Sequence, residues 1–164
     1  MNLDIKKELV SNWFKTLQDV FCDDICKLEN NKFKFKSTSW ERNIKKDEGG
    51  GEYRILRDGK VFEKVGVNFS KVYGKFPKQF KKNIPGAQKD SRFWASGVSV
   101  VMHMKNPLIP AMHFNTRYIC TQQNWFGGGM DVTPSKFDLT EKKEFHKILK
   151  DMCNRHNKNY YKRY

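Results

Sequence analysis

The sequence is short of most features that announce a function. No apolar run is long enough to cross a bilayer, and the first residues, MNLDIKKELV, lack the apolar stretch of a secretory leader. The chain is therefore read as soluble and cytoplasmic, with no membrane partner. Cysteine is sparse: Cys22, Cys26, Cys120 and Cys153 include no pair at C-x-x-C spacing, which argues against a zinc ribbon or a dithiol redox motif. They are read as structural thiols. No Gly-Lys-Ser/Thr follows the glycine runs, so there is no phosphate loop, and no nicotinamide or flavin fingerprint occurs. Acidic residues are also scarce, 18 against 32 Lys and Arg, for a formal net charge of +14.

That charge attracts polyanions: nucleic acid, an acidic surface, or a small substrate with several carboxylates. Hydrophobic residues make up 38% and aromatics 14%, including 13 Phe, which is enough for a packed core. Residues 1–164 read as one domain, without internal repeat or linker. Residues 3–28 have helical periodicity: Leu9, Val10, Trp13, Phe14, Leu17, Val20, Phe21, Ile25 and Leu28 form one expected core stripe. The polar stretch Glu29–Lys32 ends it.

From Phe33 the period shortens. Segments 34–42, 52–57 and 61–73 read as strands, separated by Gly49-Gly50-Gly51 and by Asp58-Gly59, a hairpin signal. Residues 75–92, with Pro77 and Pro85, read as loop or broken helix. Strands are expected at 93–104 and 111–121, then a glycine-rich segment from Trp125 to Pro134. A helix is expected over 140–155 with Thr140 as N-cap. The order predicts an α+β fold, an antiparallel sheet flanked by helices.

Chemistry concentrates in GVSVVMHMKNPLIPAMHFNTRY, residues 97–118. Alternate side chains of a strand share a face, so Ser99, Val101 and His103 point one way, as do His113, Asn115 and Arg117. If the two strands pair with Ser99 opposite Arg117, Asn115 lies across from Val101 and His113 across from His103. Alternation alone also describes a half-solvated sheet. The residue types favour a site: Lys and Glu are missing from this face, histidine exchanges protons near neutrality, and the guanidinium fork matches a carboxylate.

The run G-V-S-x-V-x-H-x-x-N-P-x-x-P-x-x-H-x-N-x-R-Y, followed by W-F-G-G-G-x-D-x-T-P, resembles the signature of oxygen-dependent coproporphyrinogen III oxidases. W-E-R at 40–42, G-G-G-E-Y-R at 49–54, F-E-K-V-G-V-N-F-S at 62–70 and F-H-K-I-L-K-D-M-C at 145–153 are similar to segments of the same family. The resemblance implies an oxidoreductase of heme biosynthesis that oxidatively decarboxylates two propionates of coproporphyrinogen III to vinyls. It implies dioxygen as co-substrate, no organic cofactor, and a homodimer. By position, His113 corresponds to the proton donor and Asp131 to the acceptor for pyrrole N–H groups. Ser99, Asn115, Thr116 and Arg117 correspond to substrate-binding positions. His103, His113 and His146 match histidines proposed to hold a divalent metal; hydrogen-bonded histidines explain them equally well, since no carboxylates cluster with them in the sequence.

Departures exist: Lys71 and Tyr73 stand where the family has histidines, and Met104, Thr116 and Asn124 differ from its usual residues. The family continues beyond Y-Y-K-R-Y, so the resemblance is to its amino-terminal part, and a truncated form with impaired or lost activity is expected. Two other readings are carried. One is a basic nucleic-acid-binding module using Phe33, Phe35, Tyr53, Phe76 and Phe80. The other is an inactive degenerate relative.

Overall fold

The helix expected at the start of the chain is present as α1, Leu3–Leu28, in the computed structural model, which describes residues 2–164. Asn2 caps it by accepting the Asp4 backbone N–H at 2.8 Å. Asn30 and Asn31 end it in the left-handed region, φ 54° and 56°, which asparagine tolerates better than most residues. Glu29 is no solvated loop residue. It is 1% exposed, and its carboxylate accepts the backbone N–H groups of Lys60, Val61 and Phe62 at 2.7, 2.9 and 2.7 Å. A carboxylate at a helix C-terminus opposes the helix dipole, and these charge-assisted bonds account for its place there.

Six strands follow: β1 Lys36–Glu41, β2 Gly49–Arg57, β3 Phe62–Lys75, β4 Arg92–Met104, β5 Ala111–Cys120 and β6 Asn124–Thr133. Each pairs antiparallel with its sequence neighbours, in the order β1-β2-β3-β4-β5-β6. A single 3-10 turn, Lys81–Asn83, interrupts the loop between β3 and β4. Both glycine runs lie inside strands, β2 and β6, and do not separate them. The Asp58-Gly59 hairpin forms, but Arg57 pairs with Lys64, so its loop is longer than a two-residue turn. Asp58 takes φ 55°, and a Cβ on Gly59 would lie 2.3 Å from the Glu29 carboxylate.

The α+β class is as expected, and the sheet has two unlike faces. Leu56, Val65, Val67, Val98, Val100 and Tyr118 are buried on one face, and α1 packs there against β3 and β4 through Val10, Phe14 and Ile25. Gln18 lies within this layer and donates to the Glu52 and Val67 carbonyls at 2.9 and 3.0 Å. The expected single core stripe of α1 divides in two. Leu9, Trp13, Val20 and Leu28 are exposed, because a helix lying on a flat sheet buries only the arc that faces it.

By contact the chain falls into two compact units, one running to Thr133 and the other Pro134–Tyr164, where the sequence was read as one domain. The second unit holds α2, Leu139–Asn154, and α3, Tyr160–Arg163. Asp138, not Thr140, caps α2: its side chain accepts the backbone N–H groups of Thr140 and Glu141. No helix among the described residues is long and apolar enough to cross a membrane, and all four cysteines are free.

Candidate functional site

The sheet face away from α1 is built by alternation. Its odd-numbered residues on β4, β5 and β6 include Ser99, His103, His113, Asn115, Arg117 and Asp131, joined by the even-numbered Lys64, Gly66, Asn68 and Ser70 of β3. The expected register is off by two residues. Ser99 pairs with Asn115, Val101 with His113 and Gly97 with Arg117. A shift of one would have sent every side chain to the other face, whereas a shift of two leaves face membership intact. The ladder with β5 closes at Met102 and Met112, so His103 lies just beyond its last pair.

His113 and Asp131 are directly paired across β5 and β6, and His113 Nδ1 lies 2.7 Å from Asp131 Oδ1. An ionised carboxylate only accepts, so this geometry makes Nδ1–H the donor and leaves Nε2 for exchange. Asp131 Oδ2 stays available for another donor. Both side chains are open to solvent, 40% and 66% exposed. Further along β5, Arg117 donates through Nη1 to Asn115 Oδ1 at 2.7 Å, which steers the guanidinium along the strand.

Glycine flanks Arg117 on both neighbouring strands, Gly97 on β4 and Gly127 on β6. A Cβ on Gly97 would approach the Thr116 carbonyl oxygen to 2.5 Å and Arg117 Cβ to 2.9 Å. At Gly129, across from Asn115, a Cβ would meet nothing within 4 Å. The face around Arg117 is therefore low bare backbone, open to a flat ligand.

Thr116 stands apart from the rest of the expected substrate-binding group. It pairs with Val98 and Gly128, so its side chain belongs to the α1 side of the sheet, opposite Ser99, Asn115 and Arg117. His103 shares the face with His113, their rings perpendicular with centroids 6.3 Å apart. His146 lies in the second unit, where its Nδ1 is 2.9 Å from the Tyr161 hydroxyl and Phe145 packs edge-on to its ring. Among the described residues, no group of three or more His, Cys, Asp or Glu side chains could hold a metal ion. The residues present do not fit a metal centre, and no step below runs through one.

Residues of β3 were missed as part of this face. A hollow of about 310 Å³ is lined by Tyr53, Ile55, Lys64, Asn68, Ser99 and His103. Trp40 Nε1 donates to Asn68 Oδ1 at 3.1 Å, fixing that amide. The signal was available: Lys64, Gly66, Asn68 and Ser70 alternate with Val65, Val67 and Phe69.

The chain matches the model of the family described as Coproporphyrinogen III oxidase over residues 9–164. It is 46% identical over 166 residues to the oxygen-dependent coproporphyrinogen-III oxidase of Rickettsia akari (strain Hartford), covering 96% of this chain and 58% of that protein. The same-named protein of Rickettsia felis (strain ATCC VR-1525 / URRWXCal2) is 47% identical over 163 residues, covering 94% of this chain and 57% of the relative. That of Rickettsia rickettsii (strain Sheila Smith) is 45% identical over 172 residues, covering 100% and 60%. The chain thus spans less than two thirds of the length of the curated relatives it matches.

Proposed function

The chain belongs to the coproporphyrinogen III oxidase family, and on that premise we propose that the open sheet face is one wall of a site for coproporphyrinogen III and its oxidative decarboxylation. The observation that carries this reading is the placement of two bonded pairs, His113–Asp131 and Arg117–Asn115, on one glycine-lined face.

The roles follow from the chemistry of each group. Arg117, oriented by Asn115, holds a propionate carboxylate by paired N–H donors. Ser99, across from Asn115, adds a hydroxyl to the same row. Asp131 offers its free oxygen to a pyrrole N–H and stabilises positive charge on the ring system as it develops. His113 moves a proton through Nε2 while Asp131 fixes its tautomer. Written for one side chain, –CH2–CH2–COOH and dioxygen give –CH=CH2, carbon dioxide and hydrogen peroxide. The bond to the carboxyl carbon and one C–H bond break, and the electron pair passes to dioxygen. The reduced tetrapyrrole supplies the electrons, so no organic cofactor is required by the balance.

Titration of the 164-residue chain with coproporphyrin III, the fluorescent oxidised form of the substrate, tests the wall. Saturable binding that weakens on Arg117→Ala is expected. Binding that never saturates would remove the proposal.

A further inference from the structure

At one end of the open face, a row crossing β2, β3 and β4 reads Arg57, Lys64, His103. Arg57 and Lys64 are directly opposite each other, an arrangement that costs stability because like charges face across the strands. Among the described residues neither side chain makes a hydrogen bond or an ion pair. The face offers no relief: Asp131 is the one carboxylate in its paired rows, and His113 already engages it. Lys64 also lines the hollow of about 310 Å³, with Ser99 and His103 on one side and Tyr53 and Ile55 on the other. Gly66 is among its lining residues, and a Cβ there would meet nothing within 4 Å. A cation kept unpaired at the edge of a hollow lined by no other Lys, Arg, Asp or Glu is placed to meet an anion from outside the chain.

We infer that Lys64, backed by Arg57, is a second carboxylate anchor, gripping the rim of the ligand at the end of the face away from Arg117. The inference rests on the reading of this face as a tetrapyrrole wall. Lys64 pairs with His103 and Arg117 with Gly97, so the two anchors stand six residues apart along β4, on the order of 20 Å at the usual strand rise. Both side chains are long, so their charged heads can bracket a macrocycle narrower than that backbone interval. A tetracarboxylate with acids on opposite edges satisfies both anchors. A porphyrin whose two propionates sit on adjacent rings reaches only one.

The experiment compares coproporphyrin III with mesoporphyrin IX, a dicarboxylate, on the full 164-residue chain and on Lys64→Met, Lys71→Met and Arg117→Ala. The Lys64 side chain is exposed and unpaired, and circular dichroism melts that match the wild type are the control for an intact fold. Lys64→Met should weaken coproporphyrin III at least about tenfold and mesoporphyrin IX less than about twofold, the size of one charge-assisted contact. Lys71→Met, on the α1 side of the sheet, should change neither. Equal weakening for both porphyrins overturns the second anchor, because the lysine would then act only as general positive charge. No effect of Lys64→Met where Arg117→Ala weakens coproporphyrin III also overturns it, and leaves the wall standing. A wild-type chain that binds no coproporphyrin III saturably overturns wall and anchor together.

Discussion

Arg117 depends on a residue that has no side chain. Gly97 leaves the space into which the arginine rises, and a methyl group there would press on the Thr116 carbonyl oxygen at 2.5 Å. Gly97→Ala is therefore expected to lower unfolding stability by about 1–3 kcal/mol, the usual cost of overpacking, and to weaken coproporphyrin binding by displacing Arg117. Urea unfolding and the fluorescence titration check the two parts separately. Charge removal should discriminate by face. Arg117→Ala should cost binding on the order of 2–5 kcal/mol if the guanidinium meets a carboxylate, and Lys71→Ala close to nothing. Equal small effects would remove the carboxylate clamp. At this scale the sequence was readable wherever alternation decides, as it does for Ser99, His113, Asn115 and Arg117. The same alternation places Thr116 on the far face; the family resemblance, not the alternation, had grouped it with its neighbours.

Elements are joined here by contacts that local sequence does not encode. Glu29 looks like any acidic residue after a helix, and its partners lie 31 to 33 positions later. Glu29→Ala would orphan three backbone donors, of which the Phe62 N–H is buried and the other two part-buried, and a loss of about 1–3 kcal/mol is expected by thermal or urea unfolding, the usual cost of one unmet buried group. The β4–β5 register was similarly out of reach, because registers two residues apart put the same side chains on the same face and the strand pattern cannot choose between them. On α1, burial pushes the Cys22 thiol up to about 11, against the pull of the Arg54 guanidinium. An unfolded cysteine ionises near 9, so the folded state retains this proton over a range where the unfolded chain loses it. The stabilising contribution is whole below about pH 9 and fades as pH rises towards 11. The urea midpoint should fall over that window more steeply for the wild type than for Cys22→Ala. Parallel pH curves would show that the buried thiol contributes nothing.

For the whole molecule, solvent access to the site sets the expectation. His113 and Asp131 are 40% and 66% exposed, and charged contacts weaken steeply as the surrounding dielectric rises. The 164-residue chain assayed alone should therefore consume no more oxygen with reduced coproporphyrinogen III than a protein-free control corrected for autoxidation. Protoporphyrinogen formed well above that control would show that this one wall suffices for turnover.

The strand order carries a further consequence, for synthesis. Every strand pairs with the one made just before it, so a chain leaving the ribosome never waits for a distant partner to appear. Helix α1 is available before any strand, and the layer it covers on β3 and β4 can assemble while β5 and β6 are still being translated. His113, Asn115, Arg117 and Asp131 come with the last two strands, each laid against an edge that is already in place. The acid–base pair thus forms at the growing margin of the sheet, while β5, which carries its histidine, also brings Tyr118 into the buried layer.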